Sequence, residues 1–160
     1  MIAKISRGKG FRGALDYVLR ADAEPETIGG NMAGRTAREL AAEFGSTRRL
    51  REDIAAPCYH VSLSLPAGER LSDDEWQKVT AKYLSRMGLD PTNHQYVITR
   101  HRDGKFDHIH ILTSRVGLDG SVWKPYQDRF RSKDICRQLE QEHGLTVVSS
   151  EKKLYRAQTT

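Results

Sequence analysis

Cys58–Leu65 reads Cys-Tyr-His-Val-Ser-Leu-Ser-Leu, an alternation of period two that predicts a half-buried strand. Tyr59, Val61, Leu63 and Leu65 fall on one face, and His60, Ser62 and Ser64 on the other. The same period recurs in Gln95–His101, where Val97, Thr99 and His101 are co-facial. It returns in Asp107–Arg115, where Ile109 and Ile111 oppose His108, His110 and Leu112. Arg102-Asp-Gly-Lys-Phe106 between these two runs suits the connection of an antiparallel hairpin. Ile2–Ser6 at the start, and Val122–Tyr126 after a turn at Leu118-Asp-Gly120, complete the predicted strands.

Helical spacing takes over elsewhere. Thr36-x-x-Glu39 is a capping box leading Ala37, Leu40, Ala41 and Phe44 along one face. Ser72-Asp-Asp-Glu75 is a second, followed by a stripe of Trp76, Val79, Tyr83, Leu84 and Met87 and a stop at Gly88. Ser132 is placed to cap a further helix with Ile135, Cys136 and Leu139 inward and Gly144 at its end. A short helix over Ala14–Arg20 follows the loop framed by Gly8, Gly10 and Gly13. Residues 21–35 show no periodicity and contain Pro25, Gly29, Gly30 and Gly34, which predicts a long loop. The order β-α-(α)-β-α-β-β-β-α predicts an α+β fold. Its central antiparallel sheet carries helices mainly on one greasy face, with an active site on the opposite, histidine-rich face. Residues 1–148 are expected to form one domain, and 149–160 a polar tail that starts a link to a further region.

Composition narrows the class without deciding it. A chain of 160 residues with 38% hydrophobic side chains can bury a core without metal or disulfide staples. No run approaches the roughly 18 apolar residues of a membrane span. Cys58 and Cys136 make no disulfide framework or C-x-x-C pair, and the basic N-terminus lacks the apolar segment of a secretory signal, so a cytoplasmic setting is expected. The formal charge of +5 is a mild excess, compatible with a polyanionic partner. Its distribution says more. Lys4, Arg7, Lys9, Arg12 and Arg20 face one acid in residues 1–20, whereas acids gather at Glu69, Asp73, Asp74 and Glu75, where they suit a helix N-terminus.

The sharpest chemical signal is His101-x-Asp103-x4-His108-Ile109-His110. His108 and His110, two apart in a strand, point the same way, and His101 enters the same space across the hairpin if the register matches. Three converging imidazoles leave open positions for water or a phosphate oxygen, as catalytic metal sites require. Asp103 is placed to complete the shell or to hold an imidazole tautomer from behind. His94 and His143 read as ordinary satisfied side chains, and His60 stands between the two classes. Metal or phosphate chemistry beside basic loops points to nucleic acid, and phosphodiester cleavage needs an attacking oxygen. Of Tyr17, Tyr59, Tyr83, Tyr96, Tyr126 and Tyr155, Tyr59 and Tyr83 read as core and Tyr96 is out of phase with His101. Tyr17 lies on the short helix reached through the Arg7–Arg12 loop; a packing role beside Leu15 and Val18 is its alternative.

Four segments, in order, carry a resemblance: Phe11-Arg-Gly-Ala-Leu-Asp-Tyr17-Val-Leu, Ile28-Gly-Gly-Asn-Met32, His60-Val-Ser-Leu-Ser-Leu-Pro-Ala-Gly-Glu69 and His101-Arg-Asp-Gly-Lys-Phe-Asp-His-Ile-His110-Ile-Leu. The chain resembles the N-terminal domain of MOBP-type (MobA/VirD-like) conjugative relaxases within the HUH endonuclease superfamily. That resemblance implies a strand-specific DNA transesterase that nicks plasmid DNA at an origin of transfer and later religates it. Tyr17 would be the nucleophile, leaving a 5′-phosphotyrosyl link and a free 3′-OH. His101, His108 and His110 would hold Mg²⁺ or Mn²⁺, and Asp103 would orient a histidine or assist tyrosine deprotonation. Ser64 would contact DNA near the nick, and Asn31 of the Ile28–Met32 segment joins the DNA-binding set. Arg7, Lys9, Arg12, Arg35 and Lys124 are candidates for backbone contact with single-stranded or hairpin-extruded DNA. Accessory mobilisation proteins and a coupling protein are the further partners implied, in a bacterial cytoplasm.

The match is not complete. Thr113-Ser114-Arg115-Val116 stands where the family often shows Asn-Arg-Val, which leaves the role of Ser114 open. Family members generally continue into a long C-terminal region, so the chain is expected to be a minimal relaxase or one domain of a longer protein. Three rivals remain. A replication initiator or transposase-type nuclease would use a tyrosine after the histidines, and Tyr126-Gln-Asp-Arg129 half fits its Tyr-x-x-Lys. A hydrolase would use water, and a DNA-binding module would keep the histidines as a structural metal site.

Overall fold

A computed structural model describes residues 1–148; the polar tail expected over 149–160 lies outside the described residues. The strands are β1 (Ile2–Gly8), β2 (Pro25–Gly30), β3 (Cys58–Ser64), β4 (Tyr96–His101) and β5 (His108–Ser114). They form one antiparallel sheet in the order β1-β3-β5-β4-β2. The helices are α1 (Phe11–Val18), α2 (Ala37–Arg48), α3 (Asp73–Met87) and α4 (Asp128–Glu142).

The alternation of β3 and β5 does what it predicts. Tyr59, Val61, Leu63, Ile109 and Ile111 turn to one face and are buried with Trp76, Val79, Tyr83 and Met87 of α3 and Ile135, Cys136 and Leu139 of α4. The opposite face is divided along its length. At one end Cys58, Val97 and Leu112 are covered by Phe11, Leu15 and Val18 of α1 and Leu40 and Phe44 of α2, with the Phe11 and Phe44 rings stacked at 4.2 Å. At the other end the same strands present His60, Ser62, Ser64, Thr99, His101, His108 and His110. The helices of this face therefore wall off the apolar half and leave the histidine half as a floor.

The first capping box forms in full and the second in half, the Glu75 carboxylate accepting from the Ser72 hydroxyl rather than from its main-chain N–H. Thr36 accepts from Glu39 N while Glu39 accepts from Thr36 N, and Ser72 accepts from Glu75 N; such caps each contribute about 1 kcal/mol. Gly88 stops α3 at φ 92°. The third cap is a correction. α4 begins at Asp128 after Gln127, and Ser132 lies one turn inside it, buried and bonded to the Tyr83 hydroxyl at 2.7 Å. α1 likewise starts at Phe11 and stops at Val18, leaving Arg20 beyond the helix.

Two strand assignments change. Residues 25–30 form the edge strand β2 on β4, with a bulge between Thr27 and Gly29. Ile28 is the one buried side chain there, so no alternation marks the strand. Gly30 takes φ 128°, where a Cβ would collide with the Tyr96 carbonyl oxygen. The Asn31 side chain then fastens the edge: its amide donates to Pro91 O and His94 O, and its oxygen accepts from Tyr96 N. Val122–Tyr126, conversely, makes only a single bridge, Val116 to Val122. Trp123 pins that segment to the α3 side by bonding Met87 O and packing on Tyr59.

A buried ion pair sits inside the greasy face. Asp107, 1% exposed, accepts from Leu71 N, Trp76 Nε1 and both Nε and Nη2 of Arg100. Arg100 also pairs with Asp73 Oδ1 at 2.6 Å and donates to Leu71 O. The hub ties the start of α3 to both strands of the hairpin that carries the triad.

Candidate active site and metal centre

Register brings the histidines together. His101 stands opposite His108, and His110 is flanked by Ser62 and Thr99, while Ser64 stands opposite His108. One nitrogen from each of His101, His108 and His110 lies within 4.8 Å of the others. The remaining nitrogens are committed. His101 Nε2 donates to Val18 O at 2.7 Å and His108 Nδ1 to Phe106 O at 3.0 Å. A carbonyl only accepts, so these two atoms carry the protons and His101 Nδ1 and His108 Nε2 present lone pairs. His110 Nδ1 lies 2.8 Å from His60 Nε2, and donating there leaves Nε2 as its lone pair. His101 Nδ1 is buried with no hydrogen-bond partner. An orphaned lone pair beside two more imidazoles fits a bound cation.

Electrostatics agrees that the cluster is built for neutral imidazoles. Burial, reinforced by His101, His60, His108 and Arg20, holds His110 down to about 2. Burial and His101 hold His60 down to about 4. His101 is lowered by burial and by the charges of His108 and Arg20, against the Val18 hydrogen bond and Asp103. An unfolded histidine titrates near 6.5, so below that pH the unfolded chain takes up protons that the folded chain refuses. Their contribution is complete above pH 6.5 and is lost as pH falls toward 4 and then 2. The unfolding free energy of the metal-free protein, from urea curves in chelator, is expected to drop by on the order of 2 kcal/mol between pH 6.5 and 5. In His110→Gln the slope is shallower.

Tyr17 lies over this floor. Its ring is edge-on to His110 at 6.1 Å and to His60 at 6.2 Å between centroids, and the residue is 52% exposed. The packing alternative does not hold, because Leu15 and Val18 fill the inward stripe of α1 without it.

The other expected residues scatter. Ser64 is on the floor. Lys9 and Arg12 are exposed on the approach to α1, with Arg12 paired to Asp16. Arg35 is exposed just before α2. Asp103 lies exposed on the hairpin turn and makes no hydrogen bond among the described residues; the place expected for it behind an imidazole is taken by Phe106 O, Val18 O and His60. Asn31 is spent on main-chain bonds at the far end of β4. Arg7 stands opposite Tyr59, on the face away from the histidines, and Lys124 follows Trp123 on that same side. The initiator-like Tyr126 is 75% exposed and, unlike Tyr17, makes no ring contact with the histidines among the described residues. Ser114 is at the far end of β5, its hydroxyl buried between Thr47 Oγ1 and Val116 N.

Two residues join the site beyond those expected. His60 backs His110; its phase with Ser62 and Ser64 placed it on the right face, but nothing in spacing gave its partner. Arg20 comes from the segment after α1, with its Cζ 4.4 Å from the Tyr17 ring centroid. Its sequence signals were its place in the basic cluster of residues 1–20 and three residues after Tyr17.

A search of curated proteins finds no match. The chain does match the family described as "Relaxase: MobA/VirD2-like, nuclease domain", over residues 17–145. The matched span begins at Tyr17 and takes in the whole histidine hairpin. Among the described residues no helix is long and apolar enough to cross a membrane. A DNA-nicking fold of this kind accounts for an antiparallel sheet with a three-histidine floor, and the chain belongs to the MobA/VirD2-like relaxase nuclease family.

Proposed function

We propose that this domain nicks one DNA strand at a plasmid origin of transfer by transesterification, with Tyr17 as nucleophile. The observation that carries the reading is a half-exposed phenol held edge-on to two imidazoles above a triad of lone pairs. In the reaction Tyr17 Oη forms a bond to phosphorus and the P–O3′ bond breaks, giving a 5′-phosphotyrosyl link and a free 3′-OH. The phenolic proton passes to the solvent that reaches this residue, and the departing oxygen takes one up. The covalent link keeps the bond energy, so attack by a 3′-OH reverses the step.

His101, His108 and His110 would hold the divalent cation, and three nitrogen donors favour Mn²⁺ over Mg²⁺. When bound, the cation neutralises charge on the phosphate oxygens. His60 orients His110, and Ser64 with Lys9 lines the path of the strand. A single test suffices: labelled single-stranded origin DNA and Mn²⁺ are added, the mixture is denatured, and a protein–DNA adduct is sought. An adduct that chelator prevents is the expected result; free cleaved ends without adduct would replace transesterification by hydrolysis.

His60→Ala leaves His110 Nδ1 without its partner. Mn²⁺ affinity, followed by calorimetry, is expected to weaken by roughly 10- to 100-fold, the usual effect of losing an outer-shell partner. An unchanged affinity would remove His60 from the site.

A further inference from the structure

We propose that Arg20 is a catalytic residue that holds a non-bridging oxygen of the scissile phosphate beside Tyr17, an inference that rests on Tyr17 being the nucleophile. Its guanidinium is fixed from three sides. Cζ stacks 4.4 Å from the centre of the Tyr17 ring, Nη1 donates to Tyr17 O at 2.8 Å, and Nε lies 3.5 Å from Asp22 Oδ1. The planar fork carries five N–H donors. One of them, on Nη1, is used in a hydrogen bond, and the other four have no hydrogen-bond acceptor among the described residues. The side chain is 33% exposed, so a charged group entering the cleft can reach them. The Tyr17 ring on which it stacks lies 6.1 Å from the His110 ring between centroids, so the cation sits on the phenol at the edge of the triad.

A phosphodiester under attack gathers negative charge on its two non-bridging oxygens. A cation stacked on the ring of the nucleophile meets that charge from the tyrosine side, while the triad meets it from below. Arginine suits the place better than lysine, because its fork is held by the ring and by Tyr17 O and still offers parallel donors. The alternative is a purely structural one: the side chain merely closes the end of α1 through Tyr17 O.

Substrate charge separates the two. On an ordinary phosphodiester, Arg20→Ala is expected to form the Tyr17 adduct about 100-fold more slowly than wild type, the usual effect of deleting one oxyanion donor. Arg20→Lys should recover part of the rate. Substrates with a methylphosphonate at the nick carry no charge there, and on one of the two stereoisomers the deficit of Arg20→Ala should shrink to a few-fold. A deficit equal on all substrates, or an Arg20→Ala rate equal to wild type, would overturn the proposal. Thermal melts of each variant exclude misfolding as the cause. Wild-type protein that cleaves without a tyrosine adduct would overturn the nucleophile assignment and Arg20 with it, whereas a normal wild-type adduct isolates the failure to Arg20.

Discussion

Tyr17→Phe is expected to abolish the protein–DNA adduct while leaving the fold and Mn²⁺ binding as they are in the wild type. The substitution removes one oxygen and keeps the ring. That oxygen makes no hydrogen bond among the described residues, so its loss strands no partner. The ring's stacking under Arg20 survives, and a change at a half-exposed position of this kind is worth within about 0.5 kcal/mol of stability. In the proposed reaction the nucleophile itself is gone, and no positioning of phosphate replaces it, so the rate of adduct formation should fall at least about 10³-fold, to the floor of a gel assay. Equal melting temperatures and equal Mn²⁺ isotherms for the two proteins are part of the expected result. Free cleaved ends from Tyr17→Phe would mean that water is the attacking group. A residual adduct would point instead to Ser62 or Ser64, the hydroxyls on the same floor.

The second large effect is on stability. Asp107→Ala leaves the Arg100 guanidinium, 7% exposed, with a buried charge and only Asp73 and a carbonyl to meet it. It also strands Leu71 N and Trp76 Nε1, the other donors to the missing carboxylate. Breaking a buried pair from one side typically costs about 3–5 kcal/mol, a large share of the roughly 5–15 kcal/mol that holds a domain. The melting temperature is expected to fall by roughly 10 °C or more. Replacing both partners, as in Asp107→Leu with Arg100→Met, should recover much of the loss, because the penalty lies in the unpaired charge. A loss below about 1 kcal/mol for the single variant would show that the hub is not what ties α3 to the hairpin.

This hub was legible in part. Ile109 fixes the apolar phase of one strand, and Asp107 falls in it; Ile98 does the same for its neighbour, and Arg100 falls there. An acid and a base in the greasy phase of paired strands need each other, yet the histidines in the opposite phase draw the eye. The triad could be read because a spacing of two and a short hairpin leave little freedom in where three imidazoles go. Arg7 could not be placed. In Ile2-Ala-Lys-Ile-Ser-Arg-Gly the two isoleucines are in opposite phases, so only pairing with β3 decides that Arg7 shares the side of Tyr59. β2 stayed hidden because an edge strand with a bulge and one buried side chain has no period. Arg20 reaches Tyr17 through the bend after α1, a tertiary turn that helical periodicity does not describe.

The hydrogen bond from His101 Nε2 to Val18 O makes one imidazole serve two masters. Its Nδ1 faces the triad, while its Nε2 secures the last turn of the helix that carries Tyr17. Withdrawing electron density at Nδ1 makes the Nε2 proton a stronger donor, so the occupant of the floor and the seating of the helix share a single degree of freedom. Linkage between two such events is reciprocal: a DNA strand that settles α1 must raise the affinity of the triad by the same factor by which the triad's ligand raises the affinity for DNA. A cation on the triad and a strand on α1 would then bind as cooperative partners, joined through one bond of 2.7 Å.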